Sequence, residues 1–312
     1  MQWRPPILKY TRSQYTVGIL CPLPKELMAV RALFDSRHDN LETVPGDSNQ
    51  YALGKMAQHM VVAACLPAGE YGTNAAAAAA CNMVRSFDQP VGTCPGVLQY
   101  DLGKEEEGKS LKLTGTLQRP PRILTTAIAA LQSDPDLGPE PLAPNLRKVA
   151  GRMPRYSYPG NELDVLFQVA CATCRPRNLS GGCSHMRQRM PRPTTDPTIH
   201  YGPVASGNRV VKDATFRDQC FEMEAAGVTN AVDCLVIRGI SDYCDANKND
   251  TWQEYVAAAA AAYAKLLLGV VAKADDKGSH GSIRRSFTER PTWLRSMYDE
   301  REGEQARKRR KV

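Results

Sequence analysis

Residues 221–245, FEMEAAGVTNAVDCLVIRGISDYCD, most constrain what this chain can fold into. The segment holds a helix-forming run, Glu222-Met223-Glu224-Ala225-Ala226, then an apolar run over 234–240, then a polar cluster around Asp242. A continuous apolar run of that length predicts a strand buried on both faces. A polar cluster directly after such a strand is where open α/β sheets place their ligand chemistry. Two carboxylates of different character, Glu224 and Asp242, thus stand at opposite ends of one unit. By pattern alone, an acidic helix start followed by an ordinary strand and loop would look the same.

The rest of the chain alternates between strand and helix signals. Residues 16–21 have strand character, and Pro24 is suited to the first turn of a helix that carries Glu26, Leu27, Val30, Leu33 and Phe34. Residues 51–54 and 59–65 predict a hairpin turning near Gly54-Lys55-Met56. A tight loop at 67–72 leads to Thr73 or Asn74 as the cap of an alanine-rich helix over 75–87, whose small side chains predict close packing. Residues 121–132 read as helix, 133–160 as a Pro/Gly-rich connection, and 163–169 as a short amphipathic helix. Strand character returns around Ile199-His200-Tyr201 and Val204-Ala205-Ser206, and Thr251 is placed to cap a long helix from 252 to about 273. This alternation predicts an α/β layered fold. The expected organisation is a loose arm over 1–14, a domain over 15–273 with a Pro/Cys-rich insertion at 171–197, and a basic tail over 274–312 whose polar composition suits disorder.

The net charge of +7 is unevenly placed, because Arg307-Lys308-Arg309-Arg310-Lys311 supplies most of it. The basicity belongs to the tail and not to a nucleic-acid-binding face, and the tail lacks interleaved aromatics, so specific nucleic-acid binding is not expected. The tail reads either as a nuclear-import signal or as a solvated terminus. No secretory signal and no uncharged run of about 18 apolar residues is present, so a cytoplasmic, non-membrane location is expected, or a nuclear one if the tail acts as an import signal. Ten cysteines without a signal suggest reduced thiols. Cys171, Cys174, Cys183 and His185 have the ligand types of a zinc site, but their spacing fits no strong template and reduced surface thiols are the favoured account, so no metal is expected. No cofactor is expected.

Several stretches, taken together, carry a resemblance. They are YTVGILCPLPKEL at 15–27, CLPAGEYGTN at 65–74, VLQYDLGK at 97–104, IHYG at 199–202 with ASGN at 205–208, and residues 221–265. In combination they resemble the nucleoside phosphorylase superfamily, which includes the methylthioadenosine/adenosylhomocysteine nucleosidases. They are most similar to fungal nucleoside-phosphorylase-like domains found at the N-terminus of larger signalling proteins. The resemblance implies a three-layer fold with a central mixed sheet flanked by helices. It also implies cleavage of the N-glycosidic bond of a purine nucleoside, by phosphate as co-substrate or by water, and a homo-oligomer.

Residue by residue, Phe221-Glu222-Met223-Glu224 resembles the family's ribose motif. The implied roles are sugar hydroxyls bound by Glu224, an acceptor-only group able to take two donors, with Met223 and Phe221 lining the sugar side. Arg238-Gly239-Ile240-Ser241-Asp242 resembles the strand-end motif whose aspartate protonates the leaving purine. Asp242 is then the general acid, oriented by Ser241, which requires a raised pKa or a proton shared with the base. Arg238 is a substrate-side residue or a structural ion-pair partner. Glu26 falls where the nucleosidase branch has its general base for water.

Two departures from the family stand out. The glycine-rich loop expected between the alanine-rich helix and Val97 is reduced to Gly92 and Gly96, so one core strand and the phosphate or nucleophile loop are expected to be missing from 88–96. The chain is also short between 213 and 221. These departures keep a second expectation open: a catalytically impaired nucleoside-binding or regulatory module.

Overall fold

Alternating side chains on two neighbouring strands explain the layering. In β3 (Tyr51–Met56) and β4 (His59–Cys65), Ala52, Met56, Val61 and Ala63 enter one apolar cluster, while Leu53, Val62 and Ala64 enter another on the opposite face. A strand with both faces apolar must be covered on both sides, and here helices do so. The computed structural model describes residues 10–87, 97–101, 103–104, 112–113, 120–166, 194–212, 220–245 and 248–273.

The first sheet has the order β1-β4-β3-β2, with β1 (Val17–Cys21) parallel to β4 in the register Val17↔Val61 to Cys21↔Cys65, and β2 (Ser36–His38) antiparallel on the β3 edge. One face packs against α1 (Pro24–Leu33), α3 (Arg122–Gln132), α4 (Ala143–Arg152) and α6 (Gln253–Val270), through residues such as Val30, Leu33, Leu131, Val149 and Leu267. The other face packs against α2 (Thr73–Ser86), chiefly through Met83 and the nearby Phe87. A second, all-parallel sheet has the order β5-β8-β9, formed by Val97–Gln99, Val204–Ser206 and Cys220–Glu222. Gly103–Lys104 (β6) and Lys112–Leu113 (β7) make a small antiparallel ribbon. The short helix α5 (Ala225–Ala231) follows β9 and packs on α2. The result is the expected α/β class, with a mixed sheet flanked by helices.

Met1–Ala272 forms one compact unit and Lys273–Val312 falls outside it. His59 Nε2 lies 3.0 Å from the Val271 carbonyl and Gln58 donates to the same oxygen, which ties the end of α6 to the β3–β4 turn. No helix among the described residues is long and apolar enough to cross a membrane.

Several local expectations are corrected. The run 234–240 carries no strand pairing among the described residues. Its apolar side chains pack on two sides, Leu235 and Ile237 towards the α6 cluster and Val236 towards α5. Its backbone lies so close to α6 that a Cβ on Gly239 would sit 2.3 Å from the Val256 carbonyl oxygen. Alternating burial is thus satisfied by packing without a hydrogen-bonded ladder, and Ile240 remains 57% exposed. The hairpin turns at Ala57-Gln58, directly after Gly54-Lys55-Met56, which stay inside β3; a Cβ on Gly54 would meet the Phe34 ring at 2.5 Å. The connection over 133–160 contains α4, whose Val149 is fully buried. Residues 199–201 are not a strand, and 161–163 form a single 3-10 turn in place of a longer helix start. The cap of α2 is Gly72, and that of α6 is Trp252. The expected losses at 88–96 and between 213 and 219, the Cys171, Cys174, Cys183 and His185 cluster, and the basic tail lie outside the described residues.

Candidate functional site

The C-terminal ends of the parallel strands all deliver polar residues to the same region. β1 leads into Glu26, β4 into Gly72 and Thr73, β5 into Asp101, β8 into Asn208, and β9 into Glu224. This is the end of a parallel sheet where ligands bind, because loops there are free of the helix connections that cover the faces. Hydrogen bonds join these loops across the two sheets. Asn208 accepts the Thr73 N–H at 3.0 Å through Oδ1 and donates its own N–H to Asp101 at 2.7 Å. Gly72, at φ +91°, donates its N–H to Glu224 Oε1 at 3.1 Å.

Glu26 occupies the third position of α1, where its carboxylate accepts the Leu23 N–H at 2.9 Å. The helix start therefore fixes its backbone side while the group faces the interior. Burial raises its pKa. The Leu23 N–H and the Arg238 guanidinium oppose that rise, and the nearby Glu224 charge adds to it. Glu224 is the N-cap residue of α5, and burial raises its pKa too, opposed by the Gly72 N–H and reinforced by Glu222. Its oxygens accept only the Gly72 and Met223 N–H groups among the hydrogen bonds seen here, which leaves lone pairs for further donors. Arg238 lies within electrostatic reach of both carboxyls. Glu26, remote in sequence from Glu224 and Arg238, thus shares their electrostatic environment.

Phe221 packs edge-on against Tyr100, with ring centroids 5.3 Å apart. Met223 is half-buried beside Glu224. Glu222, which sequence reasoning passed over, is buried and accepts the Glu224 and Ala225 N–H groups at 2.9 and 2.7 Å. It caps α5 and so sets the backbone position of Glu224. The signal that could have found it is its spacing, three residues before Ala225 at the start of the helix-forming run. Ser206, fully buried, accepts the Ala226 N–H at 2.9 Å and holds α5 from the other side.

Asp242 stands apart in its electrostatics. Burial pushes its carboxyl up, but the Lys248 ammonium, the Cys244 N–H and the Ser241 hydroxyl outweigh that push and hold it below the usual carboxylate range. The Lys248 Nζ–Asp242 Oδ2 distance is 2.7 Å, and the Ser241 and Cys244 bonds are each 3.0 Å. This direction is opposite to the one a carboxylic proton donor needs. Cys220 and Cys244 are both within electrostatic reach of Arg238 and Asp242. Burial raises both thiols and keeps them protonated. Among the described residues, no group of three or more His, Cys, Asp or Glu side chains could hold a metal ion.

No family model matches the chain. A nucleotide-binding leucine-rich repeat (NLR)-like protein of Hyaloscypha variabilis is 38% identical over 302 residues, covering 83% of this chain. The chain spans 30% of that relative's length. Among solved structures, a 5′-methylthioadenosine/S-adenosylhomocysteine nucleosidase of Neisseria meningitidis, in complex with methylthio-immucillin-A, is similar at 16% identity and a TM-score of 0.46, over 82% of this chain and 98% of that one. The futalosine hydrolase of Helicobacter pylori is similar at 15% identity and a TM-score of 0.49, over 84% of this chain and 99% of that one. These TM-scores lie below 0.5, so the side-chain geometry carries the functional reading.

Proposed function

We propose that this chain cleaves the N-glycosidic bond of a purine nucleoside with water as the nucleophile. The observation that supports this reading is the convergence of Glu26, Glu224 and Arg238 at the C-terminal ends of the parallel strands, with both carboxyls raised by burial. Raised carboxyls within electrostatic reach of a cation, at a ligand-binding strand end, are a setting in which acid–base groups work near neutral pH. Glu26 accepts a proton from the attacking water, and Arg238 stabilises the carboxylate that does so. Glu224 holds the ribose hydroxyls, and its cap position fixes it while Met223 and Phe221 line the sugar side. Asp242 faces the base, held in place by Ser241. The transition state has oxocarbenium character at the sugar carbon, so a carboxylate near the ring also stabilises developing positive charge.

The test is incubation of purified protein with adenosine, inosine and guanosine, with and without phosphate, following release of free base. Release without phosphate supports hydrolysis, and strictly phosphate-dependent release supports phosphorolysis instead. A second reading, a nucleoside-binding module without turnover, is favoured by one observation, the ion-paired Asp242 that is poorly placed to give up a proton. Nucleoside binding with no base release under either condition would establish that reading.

A further inference from the structure

We propose that the cavity between the end of α1 and the β2–β3 edge is a second ligand site, one that takes a small phosphate monoester. Its volume is about 220 Å³, and its lining includes Arg31, Arg37, Asn40, Gln50, Phe34 and Tyr51 but no aspartate or glutamate. Arg31 lies in the last turn of α1 and Arg37 is the middle residue of β2, so two different elements direct guanidiniums to one space. Neither arginine forms an ion pair among the described residues. Arg37 Nη2 donates to the Arg31 carbonyl at 3.3 Å, which brings the second cation onto the helix end that carries the first. Two like charges at one cavity without a carboxylate repel each other until an anion enters. The helix end does not account for the Arg31 charge. Its carbonyls at Arg31, Ala32 and Leu33 already accept donors from Arg37, Arg152 and Lys265.

The walls are held in place by the protein itself. His38 is engaged at both ring nitrogens, with Nδ1 3.0 Å from the Tyr15 hydroxyl and Nε2 3.2 Å from the Ser36 hydroxyl. Burial lowers its pKa, so it serves as a neutral wall and not as a third charge. The Tyr51 hydroxyl donates to Asp47, and its ring packs edge-on against Phe87. A phosphate monoester carries about −1.5 to −2 at neutral pH, and its oxygens match two guanidinium forks better than a single carboxylate does. The volume lies below the roughly 300–1,000 Å³ of pockets for drug-sized ligands, which keeps the organic part small. Phe34 and Tyr51 offer that part an apolar surface, and the amides of Asn40 and Gln50 offer its hydroxyls hydrogen bonds, contacts that bare phosphate leaves unused. None of Glu26, Glu224 and Arg238 lines the cavity, so the proposal stands apart from the hydrolytic reading.

The test is calorimetric titration of the full chain with glycerol 3-phosphate, inorganic phosphate and glycerol. The ester is expected to bind, phosphate to bind more weakly, and glycerol not to bind. Arg31→Met and Arg37→Met are each expected to weaken the ester by about 10-fold or more, the loss of a hydrogen bond to a charged group. Arg31 is an exposed residue, so its variant should keep the wild-type melting temperature and show that the loss is local. Glu224→Gln should bind the ester as the wild type does, because that carboxylate lies outside the cavity. Ester binding that survives both arginine variants, or that disappears in Glu224→Gln, would overturn the proposal, as would no binding of the ester at millimolar concentration. Equal affinity for phosphate and ester would overturn the ester assignment and leave a site for the free ion. None of these outcomes bears on base release, which is measured separately.

Discussion

Glu224 Oε1 accepts the backbone N–H of Gly72 at 3.1 Å, across 152 residues of chain. The bond ties the loop after β4 to the start of α5, and so connects the two sheets at the place where the acidic groups gather. It also lowers the Glu224 pKa against the larger push of burial. The same carboxylate therefore serves the fold and remains partly free for a ligand.

Glu26→Gln is expected to lower base release by about 10²–10⁴-fold, because the amide still accepts the Leu23 N–H but cannot take a proton from water. Steady-state turnover of a purine nucleoside checks this, with an unchanged thermal melt showing that the helix start is intact.

The acid limb of the pH–kcat/KM profile should reflect Glu26. Its pKa is raised, so the base is lost at a pH above the ordinary glutamate value of about 4.3 as the solution is acidified. The Glu224 charge contributes to that rise, so Glu224→Gln should move the acid limb to lower pH in whatever activity remains. A limb that stays in place would show that Glu224 does not act on Glu26.

Gly227→Ala should destabilise the protein. A Cβ there would lie 1.8 Å from the Thr73 carbonyl oxygen, so α5 must move off α2. Overpacking against backbone costs about 3 kcal/mol, or roughly 6–12 °C in melting temperature for a domain of this size. The Gly72–Glu224 bond lies on the same contact, so affinity for nucleoside should fall as well; calorimetric melting and ligand titration read the two effects.

Asp47→Ala should cost about 1–3 kcal/mol without involving the site. The buried Asp47 carboxylate accepts the Tyr51 hydroxyl at 2.8 Å, the Asn49 N–H at 2.9 Å and the Ser86 hydroxyl, pinning the loop before β3 to the end of α2. Removing it leaves those donors unpaired, which denaturant unfolding will measure.

Asp242 makes a pH-dependent contribution to stability. Its folded pKa is depressed, so the contribution is present above the unfolded value of about 3.9 and is lost as pH falls through the folded value. Lys248→Met removes the main opposing group and leaves burial to raise the carboxyl. The stability gap between wild type and Lys248→Met should be widest near neutral pH and shrink below about pH 4. A gap independent of pH would mean that the lysine acts through packing alone.

Local pattern by itself determined the α/β class, the strands β1, β3 and β4, and the helices α1, α2, α3 and α6, because each has a periodicity or composition that few other structures satisfy. It also pointed to Glu224 and Asp242, because they stand at the two ends of one apolar unit, whereas Glu26 was reached only through the family resemblance. It could not place β2, whose Ser36-Arg37-His38 becomes a strand only because the β3 edge is there to pair with it. It misread 234–240, since apolar alternation specifies two buried faces but not a hydrogen-bonding neighbour, and α6 together with α5 supplies those faces. Lys248 lies only six residues from Asp242, yet nothing in the sequence makes the two an ion pair. Only the tertiary structure decided that Glu26, Glu224 and Arg238 share one electrostatic environment and that Asp242 has a cation of its own. Charges act through space, over a few ångströms and through the local degree of burial, and neither quantity is written in the order of residues along the chain.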